Sequence, residues 1–521
     1  MDSRLTALLV ALLCACAAPT RTDAPSAIEL ILHAPGDQPG PSTACDTALC
    51  ASLRGLIEGA QRSVDFAIYG IRGQPALHAA LVDAQGRGVR VRGVVDRDLS
   101  GLNYYGGTEA LVEALGTVRD DLAADRKEAR RRRPYDPSQS RCWLEPPKGH
   151  LGPRQCSGFD LGERCMIAAQ ASREPIAFQG HIMHHKFFVI DQRAVWLGST
   201  NASDSCTGGY NANLVAVIES PLVASWYAFE FEQMWGAGKH HDQKARLPGM
   251  VAELEPGVRV EGFMSPQDKP ITRAVRPSLR AAQRRIDVAI FYLTHKGITA
   301  DLIAAHRRGV AVRVILDATG ASNEYAKHEP LREAGVPVKI EAWGGKMHMK
   351  AAGIDGEVVI AGSMNWTSAG EGGNDENTLR ITSEVHAEQF HNWFDDTWHS
   401  IDARWATAHP EPESWESATS CTDGVDNDHD HLADAADPGC TREGRWAEPR
   451  GPWRSVLKSE GAASLVKGVV HRDGARQYIL PNDNNPSTSP EATVRETQWF
   501  CSEEDAREAG FRLGSGARAA R

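Results

Sequence analysis

The 521-residue chain has no two cysteines at CxxC spacing, no apolar run of about 20 residues and no excess of positive charge. The first absence argues against a zinc ribbon. The second excludes a protein that crosses a membrane several times by apolar helices. The third is a formal net charge of −11, from 57 Lys and Arg against 68 Asp and Glu. It argues only weakly against a nucleic-acid partner, because a local basic groove is compatible with it. The acidity is uneven: Cys421 to Cys440 holds six aspartates and no Lys or Arg, more than half of the net charge. What is present is ordinary for a soluble globular protein, with 41% apolar and 24% charged residues. That excludes a mostly disordered chain. At ~100–200 residues per domain, the length fits roughly three domains.

The start reads as an export signal over residues 1–18. Arg4 precedes the apolar run Leu5 to Leu13 and the small residues Ala15, Ala17 and Ala18. Leu13-Cys14-Ala15-Cys16 resembles a bacterial lipobox, which would lipidate Cys16 and attach the protein to a membrane. A secretory signal cut near Ala18 is the other reading, so the expected location is a periplasmic or outer-membrane lipoprotein or a secreted protein. Export favours disulfides. Cys45–Cys50 and Cys421–Cys440 are expected pairs. Cys142, Cys156, Cys165 and Cys206 allow two more, in three connectivities, and Cys501 is left over.

An internal repeat dominates the chain. Ser63-Val64-Asp65-Phe66-Ala67-Ile68-Tyr69 matches Arg285-Ile286-Asp287-Val288-Ala289-Ile290-Phe291. Helical stretches follow at Ala76 to Gln85 and Thr299 to Arg307, then the matched runs Arg87 to Asp96 and Arg308 to Asp317. Strand–helix–strand is the rhythm of a βαβ unit. The expected halves are 28–240 and 257–402, each closed by an amphipathic helix, Pro221 to Trp235 and Val385 to Ile401. An insertion of about 100–175 lengthens the first half and carries the basic run Arg126 to Arg133. That run is either a solvated helix face or a flap that attracts an anionic substrate. A Pro/Glu/Ser-rich linker, 405–420, an acidic loop, 421–440, and a small module, 460–515, follow.

The strongest signal occurs twice. His184, Lys186 and Asp191 are followed by Gly198-Ser199-Thr200-Asn201; His348, Lys350 and Asp355 are followed by Gly362-Ser363-Met364-Asn365. The pattern is HxKxxxxD then GSxN, with the same spacing in both copies. On a strand, residues i and i+2 share a face, so each His points the same way as its Lys. Two copies face to face put two imidazoles and two ammonium groups in one cleft, which suits a phosphodiester. The lysines, Asn201 and Asn365 can hold phosphate oxygens and the charge of a five-coordinate transition state. Ser199 and Ser363 allow close approach and can add hydrogen bonds to substrate. One histidine attacks phosphorus and the other protonates the leaving oxygen. This chemistry needs no metal cofactor. The competing reading of His181, His184, His185 and His348 is a zinc site, which the paired lysines disfavour. Both motifs lie on one chain, so a monomer suffices.

The paired motif resembles the phospholipase D superfamily over roughly residues 28–400. The resemblance implies an α/β fold, a duplicated α/β/α sandwich with one active site between the halves. It implies His184 as nucleophile and His348 as general acid. Asn374-Asp375-Glu376-Asn377 resembles the family's N-x-E-N, in which the acid orients a catalytic histidine, and this assigns Glu376. The residue equally spaced after His184 is Ala212, so one orienting carboxylate is expected to be missing. Asp191 and Asp355 read as braces of the site.

Asp426, Asp428, Asp430, Asp434 and Asp437 fall at positions 1, 3, 5, 9 and 12 of a calcium loop, although His431 stands where glycine belongs. The segment is similar to short acidic repeats of bacterial surface proteins, and a structural calcium is the expected ligand beside the plainer reading of a disulfide-tied acidic linker. The last module, with Tyr478 and Trp499 to Ala506, looks like one appended to some secreted bacterial nucleases and related to the metal-binding domain of the Ada repair protein. The expected function is hydrolysis of phospholipid head groups through a phosphohistidine. The alternatives are a secreted endonuclease acting on DNA or RNA, and a non-catalytic surface adhesin.

Overall fold

A computed structural model of the chain describes residues 27–131 except 36, 37 and 100, the strands 155–159 and 162–165, residues 181–408 except 324, and parts of 410–440 and 466–513. The export signal with Cys14 and Cys16, Cys142, Asp426, Asp428, Asp430, Asp437 and Cys501 lie outside the described residues.

The first half begins β1 (Ile28–His33), α1 (Ala48–Gly59), β2 (Ser63–Ile68), β3 (Ile71–Arg72), α2 (Pro75–Gly86) and β4 (Arg90–Val95). It continues with α3 (Thr108–Leu115), β5 (Val118–Asp120), α4 (Leu122–Arg131) and a hairpin of β6 (Gln155–Phe159) and β7 (Gly162–Cys165). It closes with β8 (Lys186–Ile190), β9 (Ala194–Gly198), β10 (Ala202–Ser203), β11 (Asn213–Glu219) and α5 (Pro221–Trp235).

The second half runs β12 (Val251–Glu255), β13 (Val258–Ser265), α6 (Arg276–Ala281), β14 (Arg285–Ile290), α7 (Lys296–Arg307) and β15 (Ala311–Leu316). Then come α8 (Ala318–Ala321), α9 (His328–Glu333), β16 (Val338–Ile340), β17 (Lys350–Ile354), β18 (Val358–Gly362), α10 (Ser368–Gly372), β19 (Glu376–Thr382) and α11 (Glu384–Ser400).

Each half is one mixed sheet. The orders are β1-β11-β9-β8-β2-β4-β5 and β12-β13-β19-β18-β17-β14-β15-β16. The repeat fixes the match: β2 and β14 pair parallel with β4 and β15 and antiparallel with β8 and β17. Ile68 therefore lies opposite Lys186, and Ile290 opposite Lys350. The duplicated α/β architecture expected from the sequence is the one observed.

Apolar alternation sorts the side chains into three cores. One lies under α1 and α2, one under α6 and α7, and the largest joins both sheets through α5 and α11. In that central core Trp226, Tyr227 and Phe231 meet Phe390 and Phe394. Each such ring contributes about 2–3 kcal/mol by leaving water. The boundary of α5 is local chemistry: Ser220 accepts from the amide of Val223, and Pro221 takes the first helical turn. No helix among the described residues is long and apolar enough to cross a membrane.

Two expectations change here. The stretch read as an insertion from about residue 100 opens with α3 and β5, and β5 pairs with β4 as β16 pairs with β15. Those elements belong to the duplicated plan, and the extra chain follows them. Cys206, expected in a disulfide with the insertion cysteines, is a buried free thiol enclosed at the junction of the halves. Cys45–Cys50 and Cys421–Cys440 are bonded as expected. Within the acidic loop, Asp434 turns its carboxylate to the amides of Asp423 and Gly424. The terminal module is a four-stranded sheet of β20 (Val466–His471), β21 (Arg476–Ile479), β22 (Val494–Phe500) and β23 (Arg512–Leu513), with Tyr478 buried.

Candidate active site

The two motifs meet at the junction, and each half holds the other's histidine. The His184 amide donates to Asp375 O at 2.9 Å, and the His348 amide donates to Ala212 O at 2.9 Å. Met183 bridges Asp375, and Met347 bridges Ala212, as a matched pair of parallel contacts. The chain enters β8 and β17 through these bridges, which aims both imidazoles into one cleft.

The side-chain partners are unequal. His184 Nδ1 lies 2.8 and 2.9 Å from the two carboxylate oxygens of Glu376. Ser363 Oγ donates to the same carboxylate at 2.7 Å and accepts from the Asn377 amide. Across the cleft, His348 Nδ1 lies 3.2 Å from Asn213 Oδ1, to which Ser199 Oγ donates at 2.9 Å. Asn213 thus stands where Glu376 stands in the other half. Equal spacing pointed to Ala212, but the first-half loop is one residue longer, with 14 residues from Ser199 to Asn213 against 13 from Ser363 to Glu376. Ser199 and Ser363, expected to bond substrate, are buried and lock the orienting groups. The glycines before them are needed for close approach. A Cβ on Gly198 would lie 2.1 Å from Leu214 O, and one on Gly362 would lie 2.2 Å from Asn377 O.

Lys186 and Lys350 each donate to the carbonyl of their own motif histidine, at 2.8 and 2.7 Å. Both are buried. Burial, reinforced by the neighbouring lysines, pushes the His184 imidazole down to about 4, against the pull of Glu376. Burial brings the Lys186 ammonium down to about 8. His348 and Lys350 are held well below their ordinary values, by burial first and the surrounding cations second. Two lysine amines and two imidazoles, all disfavoured as cations by burial and by one another, converge with one carboxylate among them. An anion placed between them relieves that repulsion, which is the electrostatic signature of a phosphodiester site.

Asn201 donates to the Tyr105 hydroxyl at 3.1 Å, and Asn365 has a buried Oδ1 without a partner. Asp191 and Asp355 sit at the far ends of β8 and β17. Asp191 accepts from the amides of Gln61, Arg62 and Ser63, and Asp355 from Gln283, Arg284 and Arg285. These bonds keep both carboxyls below their ordinary range. They brace the entry to β2 and β14 and do not face the cleft. The four histidines weighed as a zinc site do not converge. His185 turns to Glu230 at 3.1 Å, and the His181 ring lies against His241.

Sequence reasoning assigned no role to the aromatic walls. The Tyr69 ring centre is 5.6 Å from that of His184, and Phe291 is 5.1 Å from His348. Lys350 Nζ sits 4.8 Å over Phe291, and Lys186 Nζ 5.9 Å over Tyr69. These rings end the two matched strand runs, so the signal was in the repeat itself. Cys206 Sγ, 3.7 Å from His348 Nδ1, had no such signal.

The family described as "Cardiolipin synthase, PLD-like domain" matches residues 53–235 and 275–398. Among curated proteins, mitochondrial cardiolipin hydrolase of Xenopus laevis is 35% identical over 136 residues, 26% of this chain and 65% of that protein. Phospholipase D of Rickettsia typhi is 33% identical over 124 residues, 24% of this chain and 61% of that protein. The chain thus spans a little under two thirds of the length of these relatives. Among solved structures, Nuc from Salmonella typhimurium, a phospholipase D family member, is 26% identical with a TM-score of 0.26, covering 28% of this chain and 97% of that one. Phosphatidylserine synthase from Haemophilus influenzae is 12% identical with a TM-score of 0.46, covering 71% and 86%.

Proposed function

The chain belongs to the phospholipase D superfamily, and from that premise we propose that it hydrolyses the head-group phosphodiester of phospholipids through a phosphohistidine. The observation that carries the substrate class is the rim of the cleft. Leu102 and Tyr104 are 66% and 62% exposed. The Tyr104 ring lies 6.0 Å from Tyr69, which packs on His184. Large exposed apolar side chains beside a polar reaction centre suit an interfacial substrate whose tails stay in lipid. The names of the relatives, a cardiolipin hydrolase and a phospholipase D, support the same class. Lipidation of Cys16, expected from the sequence, would hold such an enzyme at a bilayer.

His184 Nε2 attacks phosphorus while Glu376 holds its Nδ1 proton and balances the positive charge that grows on the ring. The bond from phosphorus to the head-group oxygen breaks, and His348 gives that oxygen a proton. A water then loses its proton to His348 and attacks phosphorus, releasing phosphatidic acid and His184. Lys186 and Lys350 hold the equatorial oxygens and supply the positive charge of the site.

A nuclease reading is favoured by α4. Its Arg126 and Lys127 are exposed, and Arg126 binds Leu99 O in the same rim loop, so a basic surface flanks the mouth. One assay separates the two. Phospholipid vesicles and single- and double-stranded DNA are offered to one protein batch in EDTA, with His184→Asn as control. Head-group release lost in the variant supports the lipid reading. DNA cleavage with intact lipid overturns it in favour of the nuclease, and equal inertness of both proteins rejects both.

A further inference from the structure

Behind His184 lies a second cluster that the chemistry above does not use. Asp96, Asp121, Asp125 and Asp375 are all buried within it. They come from the end of β4, the two sides of the turn into α4, and the segment before β19. Asp96 Oδ1 accepts from the Met183 amide, and Asp375 O from the His184 amide. The cations available are few. Lys244 reaches Asp375 at 2.6 Å but is shared with the buried Glu230. Into the cluster points His241, itself buried. Its Nε2 lies 3.2 Å from Asp125 Oδ1 and 3.7 Å from Asp121 Oδ2, and its Nδ1 3.4 Å from Asp375 Oδ2. Despite these approaches neither ring nitrogen meets hydrogen-bond geometry, and Asp121 Oδ2 and Asp125 Oδ2 accept no hydrogen bond either. His240 adds Nδ1 at 3.3 Å from Asp375, and the His181 ring covers His241.

The other half holds a smaller version of this cluster, with a lysine beside it. Asp317 and Glu341 are the counterparts of Asp96 and Asp121, and there burial raises the Asp317 carboxyl while Lys346 on the adjoining loop draws it down. The residue matching Lys346 in the first half is Ile182, which carries no charge. Buried carboxylates in such excess take up protons or a cation.

We propose that Asp121, Asp125 and His241 bind one divalent transition-metal ion, with zinc as the natural fit. Their ligand atoms lie within 4.8 Å of one another. Tetrahedral ligands about 2.0–2.2 Å from a common zinc stand about 3.3–3.6 Å apart, close to the 3.2 and 3.7 Å that separate His241 Nε2 from Asp125 and Asp121. Two carboxylates and one imidazole form a borderline donor set that suits zinc or manganese better than calcium. The ion joins α4 to the linker between the halves. Its role is structural, since it lies behind the nucleophile and away from substrate. The inference does not rest on the identity of the substrate.

The test uses the full chain, stripped with EDTA and reloaded with zinc chloride. Wild type is expected to retain one equivalent more zinc than Asp125→Asn and than His241→Gln, whatever else the chain binds. Zinc is expected to raise the thermal midpoint of wild type by several degrees and that of folded variants by much less. Equal zinc content in all three proteins overturns the proposal and leaves a proton-filled ion-pair cluster. If the variants fail to fold, hydrogen exchange of wild type decides. Slower exchange in 121–131 and 239–245 with zinc supports the site, and unchanged exchange there contradicts it.

Discussion

At the scale of single residues, the two histidines are told apart by the difference between Glu376 and Asn213. A carboxylate on His184 Nδ1 stabilises an imidazolium, whereas the amide on His348 orients the ring without adding charge. Glu376→Gln keeps the contact and loses the charge, so kcat should fall by on the order of 100-fold or more with KM little changed, read by steady-state kinetics. An unchanged kcat would falsify the nucleophile assignment for His184. Lys186 gives a pH prediction. Its ammonium, brought down to about 8, is charged below that pH and neutral above it. Binding of a non-hydrolysable phosphonate ester should weaken as pH rises through about 8, and Lys186→Arg should retain binding at higher pH. The paired His and Lys were legible because the motif repeats in register. Asn213 was not, because one extra loop residue breaks the spacing that a sequence comparison relies on. The serines were misassigned because a small hydroxyl beside a phosphate site and one beneath it look alike in sequence.

At the scale of elements, the period of the apolar residues gave the helices within one to three residues. Pro221–Trp235 is observed as read, and Val385 to Ile401 is observed as Glu384–Ser400. The matched aspartates of β2 and β14 are buried ion-pair anchors. Asp65 holds Arg92 at 2.7 Å and Asp287 holds Arg313 at 2.9 Å, each tying a strand to its parallel neighbour. Elements α3 and β5 were hidden inside an apparent insertion because the sequence comparison had no motif there, and only sheet pairing reveals them. Asp191 and Asp355 carry the stability prediction. Their carboxyls are held down in the folded chain, so the stabilisation is complete above the ordinary carboxylate range and is lost as pH falls through it. Asp191→Ala leaves three amides without this acceptor and should cost about 1–3 kcal/mol. Denaturant unfolding at neutral pH measures this, and the gap between the proteins should close in acid. A gap that persists at low pH would contradict the brace.

At the scale of the whole molecule, the duplication makes a site that neither half contains. Glu376 orients a histidine of the first half, Asn213 orients one of the second, and backbone bridges cross in both directions. Duplication and an active site between the halves were readable from two identical motifs on one chain. Which half supplies which support was not, because that depends on contacts between residues 192 and 135 positions apart. The central claim is that His184 carries the covalent intermediate while His348 moves protons. The most direct measurement is the intact mass, followed by peptide mapping, of His348→Ala quenched during turnover of a phosphodiester with a p-nitrophenolate leaving group. That leaving group departs without a proton, so the first step proceeds, and the loss of His348 slows hydrolysis of the adduct. A phosphoramidate that retains the substrate's remaining ester group is expected on the peptide containing His184. An adduct on another residue, or nitrophenolate release with no adduct at any time, would contradict it.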